Sequence, residues 1–139
     1  MEINVESLPG ERAISIMKLV GELDASCFQD AITKAKELQT EGTKNLVMDL
    51  SELTFMASSG LISLYNIAYI MRGRRLDASS SSWNVLQDIR NELAHVSSSE
   101  NHFKLLSPQP RIMKTLQMTG FDKLIEIHTD RDGVLDSFA

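Results

Sequence analysis

Apolar and polar residues alternate at the start of the chain, where Ile3 and Val5 stand between Glu2, Asn4 and Glu6. A period of two predicts a half-buried strand, and its charged flank suits a sheet edge. Leu8-Pro9-Gly10-Glu11 has turn chemistry, and Ala13 to Val20 is apolar on both faces, as in a central strand. So short a connection predicts an antiparallel hairpin. Gly21-Glu22-Leu23-Asp24 reads as the loop that closes the second strand, with Asp24 capping a helix from about Ala25. Phe28, Ala31, Ala35 and Leu38 then recur on one helical face until Gly42 stops it. Asn45 to Leu50 reads as a buried strand, so the helix before it is a right-handed crossover between parallel strands.

Ser51 to Met56 is expected to be a connection, and Ser58-Ser59-Gly60 opens a second helix running to about Arg72. Leu61, Leu64, Ala68 and Met71 form its buried stripe, and Arg72, Arg74 and Arg75 meet the negative end of its dipole. Segment 76–101 has a different composition: the serine runs Ser79–Ser82 and Ser97–Ser99 flank a stretch in which Leu86, Ile89, Leu93 and Val96 have helical spacing. It is predicted to be a Ser-rich insert carrying a short helix from Trp83 to about Ala94 on flexible hinges. His102 to Leu106 resumes as a strand, and Pro108-Gln109-Pro110 starts a helix with Ile112, Met113 and Leu116 inward and Gly120 as its stop. Leu124 to His128 is the last predicted strand, and Asp130 caps a terminal helix. The sum is a single α/β domain over residues 1–139. It has a small mixed sheet, antiparallel at the first strand and parallel after it, with packed helices and a helical insert at 76–101.

Composition narrows the function. Fourteen basic against nineteen acidic residues give a net charge of -5, which argues against nucleic acid as the partner, since phosphate binding needs a basic face. A lone cysteine, Cys27, rules out an internal disulfide and fits a reducing compartment. No apolar run approaches the roughly 18 residues of a membrane span, and the opening MEINVESLPG lacks the basic and apolar regions of a signal peptide. A cytoplasmic location without membrane association is expected. There is no Gly-x-Gly-x-x-Gly and no Gly-x-x-x-x-Gly-Lys-Ser, and His95, His102, His128 and Cys27 are scattered without ligand spacing. Neither cofactor nor metal is expected. Gly-x-Ser-x-Gly is missing too, so a non-catalytic module is expected.

Two loops carry the candidate chemistry. Gly21 to Asp24 follows the second strand and Ser58-Ser59-Gly60 the third. Loops after the carboxyl ends of parallel strands gather along one sheet edge, where ligands and partners bind. Ser58 stands where a helix begins. Capping alone would explain a serine there. A phosphate on the same hydroxyl would meet free N–H groups and the positive end of the helix dipole, and would add about -1.5 to -2 charges near neutral pH.

Gly21-Glu22-Leu23-Asp24, Asn45-Leu46-Val47-Met48-Asp49-Leu50-Ser51 and Leu53-Thr54-Phe55-Met56-Ala57-Ser58-Ser59-Gly60-Leu61, in that order and spacing, resemble a STAS domain of the bacterial anti-sigma-factor antagonist type. Phe103-Lys104-Leu105-Leu106-Ser107-Pro108 is similar to that family's last central strand and turn, and Leu116 to Leu124 to the helix and loop that follow. The resemblance spans the chain apart from 76–101. It implies partner switching: such a protein binds an anti-sigma factor that is also a serine kinase of the GHKL type, is phosphorylated on the serine opening the second helix, and releases its partner until a PP2C-type phosphatase resets it. Carried onto this sequence, Ser58 is the phosphoacceptor, and Asp24, Glu22, Ser59 and Gly60 share the binding surface with it. The family usually has aspartate before the serine pair, where this chain has Ala57, and often glycine where it has Ile62. The same sequence also fits two other functions: a STAS module binding a small ligand or nucleotide, and a scaffold subunit of a larger signalling or transport assembly. Homodimerisation through the apolar stripe of the insert is a further expectation.

Overall fold

The computed structural model describes residues 1–8, 10, 12–71 and 102–138. The insert expected at 76–101, the helix and dimer stripe predicted for it, and the arginines expected to end the second helix lie outside the described residues. Elements follow in the order β1 (Glu2–Leu8), β2 (Ile14–Leu23), α1 (Phe28–Thr40), β3 (Asn45–Met56), α2 (Ser58–Met71), β4 (Phe103–Leu106), α3 (Pro110–Met118), α4 (Phe121–Leu124), β5 (Ile127–His128) and α5 (Arg131–Asp136). The strands form a five-stranded sheet in the order β1-β2-β3-β4-β5. β1 runs antiparallel to β2, and every later neighbour is parallel. The mixed sheet expected from the hydrophobic pattern is therefore present.

A linear strand order has a consequence for layering. Each parallel step moves in the same direction across the sheet, so right-handed crossovers put all the connecting helices on one face. The main core agrees: Met17, Leu19 and Leu23 of β2 and Leu46, Met48, Leu50 and Leu53 of β3 pack against Ala31, Ala35 and Leu38 of α1, Leu64 and Ile67 of α2, and Leu116 of α3. The other face carries a smaller cluster, in which Ile14, Ile16, Val47 and Leu106 lie under Val134, Leu135 and Phe138 of the terminal segment.

That terminal segment is held by polar ties. Asp130 caps α5 as expected, its carboxylate accepting from the Gly133 N–H at 3.0 Å. Lys104 is buried to 1% exposure on β4. Its ammonium donates to the Ser137 hydroxyl at 2.9 Å and carbonyl at 3.2 Å, pairs with Glu126 at 3.0 Å, and lies 4.6 Å from the centre of the Phe138 ring. The other oxygen of Glu126 meets His128 Nε2 at 2.6 Å. Burial pushes the Glu126 carboxyl up, but its bonds to Lys104 and His128 outweigh that and hold it below the usual carboxylate range.

Several expected boundaries move. Gly21 to Leu23 is strand, not loop, and Ser51 to Met56 is strand, not connection. β2 and β3 stay paired to their ends, with Gly21 against Leu53, Glu22 against Phe55 and Leu23 against Met56. Register shifts between Lys18 and Val20 and between Gly21 and Glu22 break the alternation that the sequence pattern relied on. Helix α1 begins at Phe28 with Cys27 at its cap position, not near Ala25 under Asp24. Near the end, Leu124 belongs to the single turn α4, and only Ile127 and His128 pair with β4. Gly120, at φ +79°, permits the reversal between α3 and α4.

Candidate functional site

The extension of β2 and β3 decides where the candidate residues sit. The Ala57 N–H donates to the Leu23 carbonyl at 2.9 Å, continuing the β2–β3 contact one residue beyond β3. Ala57's own carbonyl then accepts from the N–H groups of Gly60 (2.9 Å) and Leu61 (3.3 Å), which starts α2. So the Asp24 turn and the start of α2 leave the same end of the β2–β3 pair, with Ala57 bonded to the residue before Asp24. The two loops expected to be neighbours meet, though as a strand end and a helix start.

Those same bonds put Ala57, not Ser58, in the cap position. Ser58 is the first residue of α2, and it is exposed. The capping role that would explain a serine here without invoking function therefore belongs to the residue before it, whose methyl group cannot perform it. The first turn still presents backbone N–H groups without intrahelical acceptors. Ser59 is turned inward, with its hydroxyl oxygen buried and unpartnered among the described residues.

Gly60 is buried and sets the depth of the helix. A Cβ built on it would lie 2.7 Å from Met56 Cγ and 3.1 Å from both Leu23 Cγ and the Leu23 carbonyl oxygen. Only a residue without a side chain lets the first turn of α2 rest on the end of β2. Gly60 therefore positions Ser58 rather than offering a surface of its own.

Asp24 is fixed by a turn. One carboxylate oxygen accepts from the Ser26 N–H at 3.0 Å and the Ser26 hydroxyl at 2.5 Å, and the Asp24 carbonyl accepts from Cys27 and Phe28. The bonds from Ser26, hydroxyl first, hold the Asp24 carboxyl below the usual range, so it is a standing negative charge at neutral pH. The buried Cys27 thiol donates to the Glu22 carbonyl at 3.2 Å, and Thr54 Oγ1 donates to the Gly21 carbonyl at 3.0 Å. These two ties were not foreseen from the sequence, because nothing in a lone cysteine or threonine signals a backbone acceptor from another segment. Glu22 itself is exposed. Among the described residues no cluster of three or more His, Cys, Asp or Glu could hold a metal ion, and no helix is long and apolar enough to cross a membrane.

The architecture is the STAS fold of the anti-sigma factor antagonists. An anti-sigma factor antagonist from Mycobacterium paratuberculosis is 18% identical and aligns with a TM-score of 0.65 over 99% of this chain and 94% of its own. The antagonist SpoIIAA in its unphosphorylated form is 18% identical, with a TM-score of 0.61 over 97% and 94%. The Bacillus cell fate determinant SpoIIAA in its phosphorylated form is 16% identical, with a TM-score of 0.56 over 99% and 100%. No family model and no curated protein matches the sequence. Within the STAS fold, this chain presents an exposed helix-opening serine at the same end of β2 and β3 that carries the fixed Asp24 carboxylate.

Proposed function

We propose that this protein is an anti-sigma-factor antagonist that binds an anti-sigma factor with GHKL-type serine kinase activity and is switched off by phosphorylation at Ser58. The observation that carries the reading is the exposed Ser58 on the first turn of α2, next to the Asp24 turn and outside the cap position. The fold it stands on is shared with an antagonist solved in both unphosphorylated and phosphorylated forms.

The mechanism follows from charge. In the dephosphorylated state the partner docks on Ser58 and the acidic strand end. Phosphate added to the Ser58 oxygen is favoured locally by the N-terminus of α2. It brings about -1.5 to -2 charges beside an aspartate that is already ionised. A surface packed against the neutral hydroxyl then has no room for the phosphate and would have to strip water from a dianion, so the contact is lost. The core does not need to rearrange, because Ser58 lies on its outside. A PP2C-type phosphatase restores the binding form.

The test is a binding titration with purified GHKL-type anti-sigma kinases, alongside phosphopeptide mass spectrometry after incubation with ATP. Ser58→Ala binds constitutively and takes up no phosphate at this site, while Ser58→Asp binds at least about 10-fold more weakly. Equal affinity of the two variants, or phosphate found only elsewhere in the chain, refutes the proposal.

A further inference from the structure

Phe55 is an exception on its strand. Of the exposed positions at the end of β3, residues 51, 52 and 54 are Ser, Glu and Thr, whereas Phe55 leaves 42% of its surface in water. Its cross-strand neighbour is Glu22, also exposed, and the next pair, Leu23 with Met56, is buried in the main core. Successive pairs on a pleated sheet point to opposite faces, so Phe55 and Glu22 project together from the face without the crossover helices. The terminal segment covers that face only around Ile14, Ile16, Val47 and Leu106. Phe55 is eight residues further along β3 than Val47, roughly 25 Å at strand rise, and it belongs to neither apolar cluster.

The surroundings of this ring are acidic. Glu22 has no ion-pair partner among the described residues, Asp24 follows the end of the same strand as an ionised carboxylate, and Glu52 lies three residues before Phe55, paired with Lys18 at 2.8 Å. An exposed aromatic ring bordered by the unpaired Glu22 and by the ionised Asp24 complements one kind of surface: an apolar pocket bordered by arginine or lysine. Ser58 is three residues from Phe55 along the chain, so a protein covering one reaches the other.

We propose that Phe55 is the apolar anchor of the partner interface, seated in a pocket of the anti-sigma kinase whose basic rim meets Glu22 and Asp24. This rests on the function proposed above and adds what holds the partner in place while Ser58 is unmodified. Aromatic residues desolvated at an interface carry a disproportionate share of its binding energy, and the acidic rim steers and orients the basic partner.

The test titrates purified GHKL-type anti-sigma kinases with the full chain in four forms: wild type, Phe55→Ala, Glu22→Lys and Ser58→Asp. Phe55→Ala is expected to bind about 30-fold more weakly, with its melting temperature within about 2 °C of wild type, since an exposed ring contributes little to the fold. Glu22→Lys is expected to weaken binding about 10-fold at low salt, with the gap narrowing as ionic strength rises. Wild-type binding that Phe55→Ala leaves within about twofold overturns this inference alone. A fall of more than about 5 °C in the melting temperature of Phe55→Ala also overturns it, because the ring would then be packed by the chain itself. A wild-type chain that binds none of the kinases overturns this inference and the proposed function together.

Discussion

Replacing Gly60 by alanine sets two physical effects against each other. In a solvent-exposed helix the change would stabilise by up to about 1 kcal/mol, since alanine loses less backbone freedom on folding. Here the added methyl would sit 2.7 Å from Met56 Cγ and 3.1 Å from the Leu23 carbonyl oxygen. Met56 could yield in a looser site, but it is 7% exposed and already part of the main core, and the Leu23 carbonyl is tied to the Ala57 N–H. Overpacking of this kind costs about 1–3 kcal/mol. Because both Met56 and the Leu23 carbonyl are held, the cost lies in the upper part of that range, about 2–3 kcal/mol, and subtracting a propensity gain of up to about 1 kcal/mol leaves a net loss of about 1–2 kcal/mol at full gain. For a chain of 139 residues this lowers the melting temperature by roughly 3–10 °C. Thermal unfolding followed by circular dichroism at 222 nm, with denaturant titration as a second measure, reads it directly. Should Gly60→Ala melt at or above the wild-type temperature, the contact between the first turn of α2 and the end of β2 is not as close as described. Gly60 would then not be what sets the depth of Ser58 on the end of β2.

Other consequences concern the opposite side of the sheet. Lys104→Met keeps most of the side-chain stem but removes the ammonium bonded to Ser137 and paired with Glu126; a loss of about 1–3 kcal/mol is expected, with faster amide exchange over Val134 to Phe138, and unchanged exchange there would contradict a docked terminal helix. Glu126 gives a pH signature: its folded carboxyl lies below the ordinary range, so the stability it contributes is present above about pH 4.3 and is lost as pH falls through the folded value. Glu126→Gln should accordingly show a shallower acid limb in a stability-versus-pH series, and parallel limbs would refute the coupling.

Much of this fold could be read from the sequence, and the failures have one cause. Strand β1, the buried face of α1, Ile112 and Leu116 of α3, the proline opening α3 and the Asp130 cap all follow local rules, and local rules found them; Met113, expected inward, is only half-buried. The errors fall where two segments interact. Leu53, Phe55 and Met56 do not alternate, so Ser51 to Met56 looked like a connection; the register shifts against β2 convert that spacing into strand. Asp24 has the composition of a helix cap, yet Ser26 two residues later captures its carboxylate first, the competition that makes aspartate a turn former as often as a cap. Ser58 looked like a cap until Ala57 was tied to Leu23. The candidate site was legible as a pair of motifs that ought to meet, but how they meet depends on a hydrogen bond between residues far apart in the sequence.

That dependence bears on why Ala57 does not argue against a regulated Ser58. An aspartate at the cap position would place a carboxylate directly before the serine; this chain has a methyl group there and a fixed carboxylate one strand away, at Asp24. On the proposed function the contrast between hydroxyl and phosphate survives, because the bond from the Ala57 N–H to the Leu23 carbonyl keeps the start of α2 and the Asp24 turn at the same end of the sheet. What changes is the source of negative charge. It is carried by a turn braced by Ser26 and Cys27, so if the proposed function holds, loosening that turn alters partner release more than a change at position 57. On the proposed function, Ser26→Ala would then blunt the difference in affinity between Ser58→Ala and Ser58→Asp, while Ala57→Asp would leave that difference in place.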